Sequence, residues 1–404
     1  MRRVLFWAAA LTVLYTYLLF PLIVLVRALI RVRPHASADI SPSVSMVIAA
    51  HNEAASIQTK LDNVLSLDYP PDRLEVVIAS DGSDDGTDEI VRRYADRGVR
   101  LLSLPRRGKA PALNDAVGAA RGEILVFSDA NSLYARDALS ALVRPFADPL
   151  VGGVAGDQRY MPAGGGDAIA SGEQSYWNLD RLLKTAESRA GNVISATGAI
   201  YAVRSSLFRP VPDGVTDDFF TSTGVIAQGY RLVFAPDAVA FEPVAATAQL
   251  EFGRKVRVIT RGLRGVLLRR ELLDPRSHGF YAVQLFAHKL LRRMMVFPLA
   301  VAGVTSPLLW RQGRIYRLAT VLQATLYGLG VVGIVFAGKP LGRRKPFVLP
   351  AFFCFVNVAA LRAAWNVLRG RRIDRWEPQR QDSGPPNQEP PRQPSAATAA
   401  GDAE

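Results

Sequence analysis

Between residues 41 and 245 the chain alternates short, continuous apolar runs with amphipathic stretches. The clearest runs are VSMVIAA (44–50), LEVVIAS (74–80), VRLLSL (99–104) and EILVFSD (123–129). These are strand lengths, and their lack of strict alternation marks strands buried on both faces. The stretches near 53–67, 86–97 and 109–121 read as intervening helices. Strands separated by helices predict an α/β domain with a Rossmann-like, mainly parallel sheet. In such sheets ligands bind outside the carboxyl ends of the strands, so polar residues just past each run become the first site candidates.

The pattern changes on both sides of this region. After Met1-Arg2-Arg3 comes an uncharged run over 4–26. Such a run is long enough to cross a hydrocarbon core of roughly 30 Å. Ala36-Ser37-Ala38 has the look of a signal-peptidase site, but the apolar region is too long and Arg27, Arg31 and Arg33 intervene. An uncleaved N-terminal transmembrane helix over 1–33 is therefore expected. Arginines lie on both sides of it, so the positive-inside rule does not orient it.

Past the α/β region lies a basic stretch from Arg254 to Arg270. Residues 266–293 then read as amphipathic interface helices, in which Phe280, Leu285, Phe286, Leu290 and Leu291 mix with His288, Lys289, Arg292 and Arg293. Three apolar runs follow near 294–310, 316–338 and 346–368, the first short and holding two prolines, which leaves a re-entrant path open to it. We read 294–370 as C-terminal transmembrane helices and the Pro-, Gln-, Ser- and Ala-rich stretch 374–404 as a disordered tail. The expected protein is an integral, multi-pass protein of the plasma or inner membrane, with membrane lipids as partners.

Charge and cysteine content narrow this further. The formal charge is +13, from 49 Lys and Arg against 36 Asp and Glu. That favours anionic partners such as lipid headgroups and phosphates. Much of the excess sits beside the membrane segments, so no nucleic-acid partner is expected. The single cysteine and four scattered histidines exclude a disulfide framework and a Cys/His zinc set.

Five constellations carry candidate chemistry. AAHNEAAS (49–56) puts the flat ring of His51 and the carboxylate of Glu53 past the first run; a helix start capped by Asn52 is the plainer account. VVIASDGSDDGTDEI (76–90) puts Asp81 where a carboxylate can accept from a base or a ribose hydroxyl, while Asp84 and Asp85 suit capping. RRGKAPALNDA (106–116) opens a helix at Lys109, where backbone N–H groups and the helix dipole favour phosphate. EILVFSDANSLY (123–134) sets Asp129 and Asn131 two apart, spacing that can serve one cation or simply form a turn. DGVTDDFF (213–220) sets Asp217 beside Asp218 at a helix start; like charges raise one pKa, and a carboxylate near a sugar hydroxyl can take its proton.

Together and in this order, these segments resemble glycosyltransferase family 2, which includes the cellulose, chitin and hyaluronan synthases. The resemblance covers roughly 43–265 and implies a GT-A catalytic domain over 41–265. It implies that His51, Glu53 and Asp81 hold the nucleoside, that the Gly108–Asn114 segment with Lys109 meets the donor, and that Asp129-Ala130-Asn131 is the metal motif. It also implies that Thr216-Asp217-Asp218 carries the base, Asp218, and that ATGAIYAVR (196–204) is an acceptor-side strand. Two departures stand out: His51 replaces a usual Tyr, and the Gln-x-x-Arg-Trp motif of processive synthases is reduced to Arg257 within Arg254-Lys255-Val256-Arg257-Val258.

The resemblance implies an inverting, hexosyltransferase-type enzyme. A nucleotide diphosphate sugar, with uridine diphosphate as the expected nucleotide, would give its sugar to a glycan or lipid-linked acceptor. Mg²⁺ or Mn²⁺ on Asp129 and Asn131, with Lys109 and Arg257, would stabilise the departing diphosphate. Polysaccharide or cell-envelope glycan synthesis, a cytoplasmic catalytic domain, and export or synthase partner proteins are the further expectations. Two other classes compete: an inactive transferase scaffold that binds or regulates, and a transporter. The first sits poorly with a full set of carboxylates, the second with apolar runs that hold almost no ionisable residues.

Overall fold

The computed structural model describes residues 1–160, 168–243, 248–342 and 344–371. The expected tail over 374–404 lies outside the described residues. The chain begins with a long helix α1 (Arg2–Ile30), relaxed into a π-helical turn at Tyr15–Leu19. The α/β region then runs β1 (Val44–Ala50), α2 (Ile57–Leu65), β2 (Leu74–Asp81), α3 (Thr87–Arg92), β3 (Val99–Leu104), α4 (Lys109–Ala119) and β4 (Ile124–Phe127). It continues with β5 (Leu133–Tyr134), α5 (Ala138–Val143), β6 (Val151–Tyr160), α6 (Ala168–Ala190), β7 (Tyr201–Arg204), α7 (Asp217–Ala227) and β8 (Arg231–Glu242).

All eight strands join one sheet in the order β3-β2-β1-β4-β7-β6-β8-β5. β3, β2, β1 and β4 pair in parallel, as the apolar runs predict. β7 pairs antiparallel with both β4 and β6, and β5 antiparallel with β8, so the sheet is mixed although mostly parallel. Alternate residues of each central strand enter opposite cores. Met46, Ile48, Ile78 and Val126 pack on one face, and Val47, Ala49, Val77 and Phe127 pack on the other. Both faces are covered, so period-2 pleating directs every side chain into apolar surroundings and the strands read as unbroken runs.

The helices after the sheet dock onto it. α8 (Ala248–Leu268), α9 (Pro275–His278) and α10 (Phe280–Leu285) lead to a π-helical turn at Phe286–Leu291. Then come α11 (Val296–Leu308), α12 (Arg314–Val335) and α13 (Lys345–Leu368). α1, α12 and α13 are each long and apolar enough to cross a membrane, whereas α11 is shorter. Small residues let α13 approach α8 closely: Ala359, Ala360 and Ala363 pack against Val256, Ile259 and Leu263. The second half of α1 packs Phe20, Val24 and Ala28 on Leu183, Ala186 and Ala190 of α6.

In the segment 280–291, Phe286 is exposed, whereas Tyr281, Leu285, Ala287 and His288 are buried. The buried ion pair Asp180–Lys184 of α6, at 2.9 Å, lies close enough for Asp180 to act on both His288 and Lys289.

Candidate active site

The site forms at the carboxyl ends of β1, β2 and β4 and the start of α7. Each strand delivers one loop. After β1, Asn52 adopts a left-handed conformation (φ 56°) and ties to the next loop: its side chain accepts from Asp84 N–H at 3.0 Å and its N–H donates to Ser83 Oγ at 3.1 Å. Glu53 N–H donates to Thr87 Oγ1 at 2.9 Å and Ala54 N–H to Asp85 Oδ2 at 3.0 Å. Asp85 also accepts from Thr87 N–H at 3.1 Å at the start of α3, matching its expected capping role.

Asp81 is wholly buried. Its carboxylate accepts from the Arg106 guanidinium at 2.7 Å, Arg107 N–H at 2.7 Å and Gly108 N–H at 2.9 Å. It therefore holds the loop that launches α4. Gly82 permits this approach: its φ is +63°, and a Cβ there would lie 2.9 Å from Arg106 Cβ. His51 lies beside Asp81, and burial, then Arg106, draws its pKa below the ordinary value.

Three segments far apart in sequence meet at Lys109. Its Nζ lies 2.7 Å from Asp129 Oδ1 and 3.2 Å from Asp217 Oδ2. Asp218, next on α7, has its Oδ1 accepting from Phe219 N–H at 2.7 Å. Burial, and then Asp217, push its carboxyl up to about 6. Glu53 is likewise pushed up to about 6, chiefly by burial, with Asp129 also raising it. Lys109, Asp129, Asp217 and Asp218 are thus brought together, with Glu53 near enough for Asp129 to act on it. Asn131 is exposed on the turn beyond Asp129, and Arg257 is half-buried on α8.

Several residues in this neighbourhood were not expected from the sequence. Lys60 of α2 is buried behind Asp129; the signal was slight, since it stands at the margin of the stripe formed by Ile57, Leu61 and Val64, beside Val64. Glu242, ending β8, accepts from Ser132 Oγ at 3.1 Å. It is pushed up to about 7 by burial and then by Asp129, with Arg254 opposing. Arg254 donates to Tyr160 Oη at 3.1 Å, so it is a cation of α8 linked to the sheet. Lys289 lies 5.8 Å from the centre of the Phe219 ring and lowers the pKa of Asp218. No local motif marks Glu242 or Lys289, and Arg254 stands where the Gln-x-x-Arg-Trp motif has its Gln. Gly198 also matters, because a Cβ there would lie 2.9 Å from Asp129 Oδ2.

Among the described residues, no group of three or more His, Cys, Asp and Glu side chains stands ready to hold a metal alone. The residues do fit a cation that brings further ligands with it. Asp129 offers a partly exposed carboxylate, and its charge raises both Glu53 and Glu242. Mg²⁺ and Mn²⁺ bind through one or two carboxylates, with substrate phosphates and water completing the shell.

The chain is similar in sequence and fold to known proteins. The profile described as Glycosyl transferase family 2 matches residues 45–210. The poly-beta-1,6-N-acetyl-D-glucosamine synthase of Staphylococcus aureus strain COL is 28% identical over 246 residues, covering 59% of this chain and 58% of that protein. The Staphylococcus epidermidis synthase of the same name is 28% identical over 235 residues, covering 56% of each. The chain thus spans less than two thirds of the length of these relatives. Among solved structures, a mannosyltransferase from Pyrobaculum calidifontis in complex with GDP-Man and Mn²⁺ superposes with a TM-score of 0.71 at 27% identity, covering 91% of this chain and all of that one.

Proposed function

We propose, for a chain whose residues 45–210 form a glycosyltransferase family 2 domain, that the site transfers a sugar from a nucleotide diphosphate donor to an acceptor hydroxyl at a membrane, with inversion. The chain is a glycosyltransferase; its donor, its acceptor and the stereochemistry belong to this proposal. One observation carries it: Lys109 joins Asp129 and Asp217, at 2.7 and 3.2 Å, with Asp218 adjacent. A cation-binding carboxylate, a phosphate-seeking ammonium and a candidate base therefore surround one point.

In this reading Asp218 takes the acceptor proton as the hydroxyl attacks. Lys109, at the start of α4, turns to the diphosphate as it leaves. Asp129, with Asn131 beside it, would hold a divalent cation, which when bound would supply positive charge for the departing diphosphate. Arg254 and Arg257 supply further positive charge from α8. Asp81 sets the loop that carries Lys109, and His51 and Glu53 border the nucleoside side.

UDP-N-acetylglucosamine is the first donor to test, because the curated relatives are poly-N-acetylglucosamine synthases. GDP-mannose is the second, because the mannosyltransferase match runs over 91% of this chain. α1, α12 and α13 would hold the catalytic domain at the cytoplasmic face, where nucleotide sugars are available, and present a glycan or lipid-linked acceptor. The test is to incubate purified protein in lipid with each nucleotide sugar and Mn²⁺, and to measure free nucleoside diphosphate with and without membrane extract as acceptor source. Release from one donor that depends on Asp218 supports the proposal; no release from any hexose donor refutes it.

A further inference from the structure

Lys60 projects from α2 into the space behind the metal-motif loop and is fully buried. Its Nζ donates to Ser128 Oγ at 2.7 Å and to the Ser132 carbonyl at 2.7 Å. These two acceptors bracket Asp129-Ala130-Asn131. The ammonium also sits 4.3 Å from the centre of the Tyr134 ring, a distance at which the ring face attracts a cation. One helical turn on, Asn63 pairs with the Tyr134 backbone in both directions, at 2.7 and 2.9 Å. One face of α2 therefore grips the segment 128–134 on either side of its two candidate ligands.

A buried ammonium is a costly way to fill space. Its burial carries a desolvation cost that an apolar side chain does not, and the cost is offset only where its partners are well placed to accept from it. Burial draws the Lys60 amine down to about 7, against the pull of Asp129 and Glu242. Methionine would occupy the same volume without that penalty. What it could not do is donate at once to both ends of a five-residue loop.

We infer that Lys60 is a positioning residue that fixes the 128–132 loop, so that Asp129 and Asn131 present their oxygens to a divalent cation arriving with the donor diphosphate. This rests on the proposed function, since it needs that cation. Outer partners that orient metal ligands typically contribute about 10–100-fold to metal affinity. Lys60 touches no reacting atom, so its removal acts on cation and donor binding before it acts on turnover.

The test measures Mn²⁺ affinity by electron paramagnetic resonance on the full chain in lipid, with saturating UDP or GDP, whichever binds the wild type. Lys60→Met is expected to melt below the wild type, because the buried Ser132 carbonyl loses its side-chain donor, to bind Mn²⁺ about 10–100-fold more weakly, and to raise donor KM more than it lowers kcat. Ser128→Ala removes one of the two acceptors and is expected to give a smaller loss, and the double variant to be no weaker than Lys60→Met alone. Unchanged Mn²⁺ affinity in folded Lys60→Met overturns the inference; if that variant does not fold, unchanged affinity in Ser128→Ala does so. A wild type that binds no Mn²⁺ with either diphosphate removes the metal reading and this inference together.

Discussion

Replacing Asp217 by Asn should move the acidic limb of the pH–rate profile to lower pH. In the structure the Asp218 carboxyl is pushed from 3.8 up to about 6, by burial first and the Asp217 charge second. Asp217→Asn removes the second cause and leaves the first, so the limb should move by less than the whole displacement. The substitution also leaves Lys109 paired with Asp129 alone, so more of its charge acts on Asp218, lowering its pKa in the same direction. With a pKa near 6, roughly a tenth of the base is ionised at pH 5. A shift of about one unit raises that to about half, so activity at pH 5 relative to each enzyme's own plateau should rise about fivefold. Asp218→Asn should lose about 10²–10⁴-fold in turnover at every pH while donor binding persists.

Stability gives that second variant a separate signature. The folded pKa of Asp218 lies above its unfolded value, so its contribution to stability is fully present below the unfolded value and is lost as pH rises through about 6. Asp218→Asn should therefore stabilise the fold at pH 8 and not at pH 3, by up to about 3 kcal/mol for a displacement of roughly two units, seen as a higher melting temperature at pH 8 alone. The assays are initial rates at saturating donor from pH 4.5 to 9, separate donor-binding titrations, and thermal melts at both pH values. The reasoning fails if the Asp217→Asn limb stays in place or moves upward, or if Asp218→Asn turns over normally.

Three further outcomes follow from the same geometry. Excess chelator should abolish turnover and Mn²⁺ restore it, and Asp129→Ala should weaken donor binding; full activity in chelator sinks the metal reading. Gly198→Ala should press a methyl group against Asp129 Oδ2, 2.9 Å away, and cost donor and Mn²⁺ affinity with little change in melting temperature; wild-type affinity would show that the loop yields. Carbonate washing should leave the chain in the membrane pellet, as α1, α12 and α13 require, and recovery in the supernatant would mark them as helices buried against protein.

The sequence carried much of the catalytic half of the fold because burial on both faces is itself a pattern. The runs at 44–50 and 99–104 coincide with β1 and β3, and 74–80 falls one residue short of β2. The run at 123–129 overshoots β4, which ends at Phe127, because Ser128 and Asp129 already belong to the turn. Less visible was the second half of the sheet. β7 inserts antiparallel between β4 and β6, and a four-residue apolar run reads alike in either direction. The convergence of Lys109, Asp129 and Asp217 was legible because each follows its own motif at an element boundary, where side chains are free to face a ligand.

What escaped the sequence were the residues that serve the site from behind, and the reason is physical. A ligand-facing carboxylate must sit at a strand end, and position alone raises suspicion of it. A supporting cation needs only the buried face of some neighbouring helix, where a lysine looks like a stem lying along apolar surface with its head in water. Lys60 fits that ordinary case by position, standing beside Val64 at the margin of the stripe formed by Ile57, Leu61 and Val64. Only the segment 128–134, packed over it, shuts its ammonium away from solvent. The same logic explains Asp81, whose place at the end of β2 suggested a ligand but whose oxygens are taken by Arg106, Arg107 and Gly108. Local pattern tells which side of an element a charged residue occupies; only the approach of other segments decides whether its partner is a ligand or the protein. In this site one carboxylate orients the loop of Lys109 and one ammonium grips the loop of Asp129. The cation and donor would then meet loops already fixed in place, which reduces the ordering cost of binding.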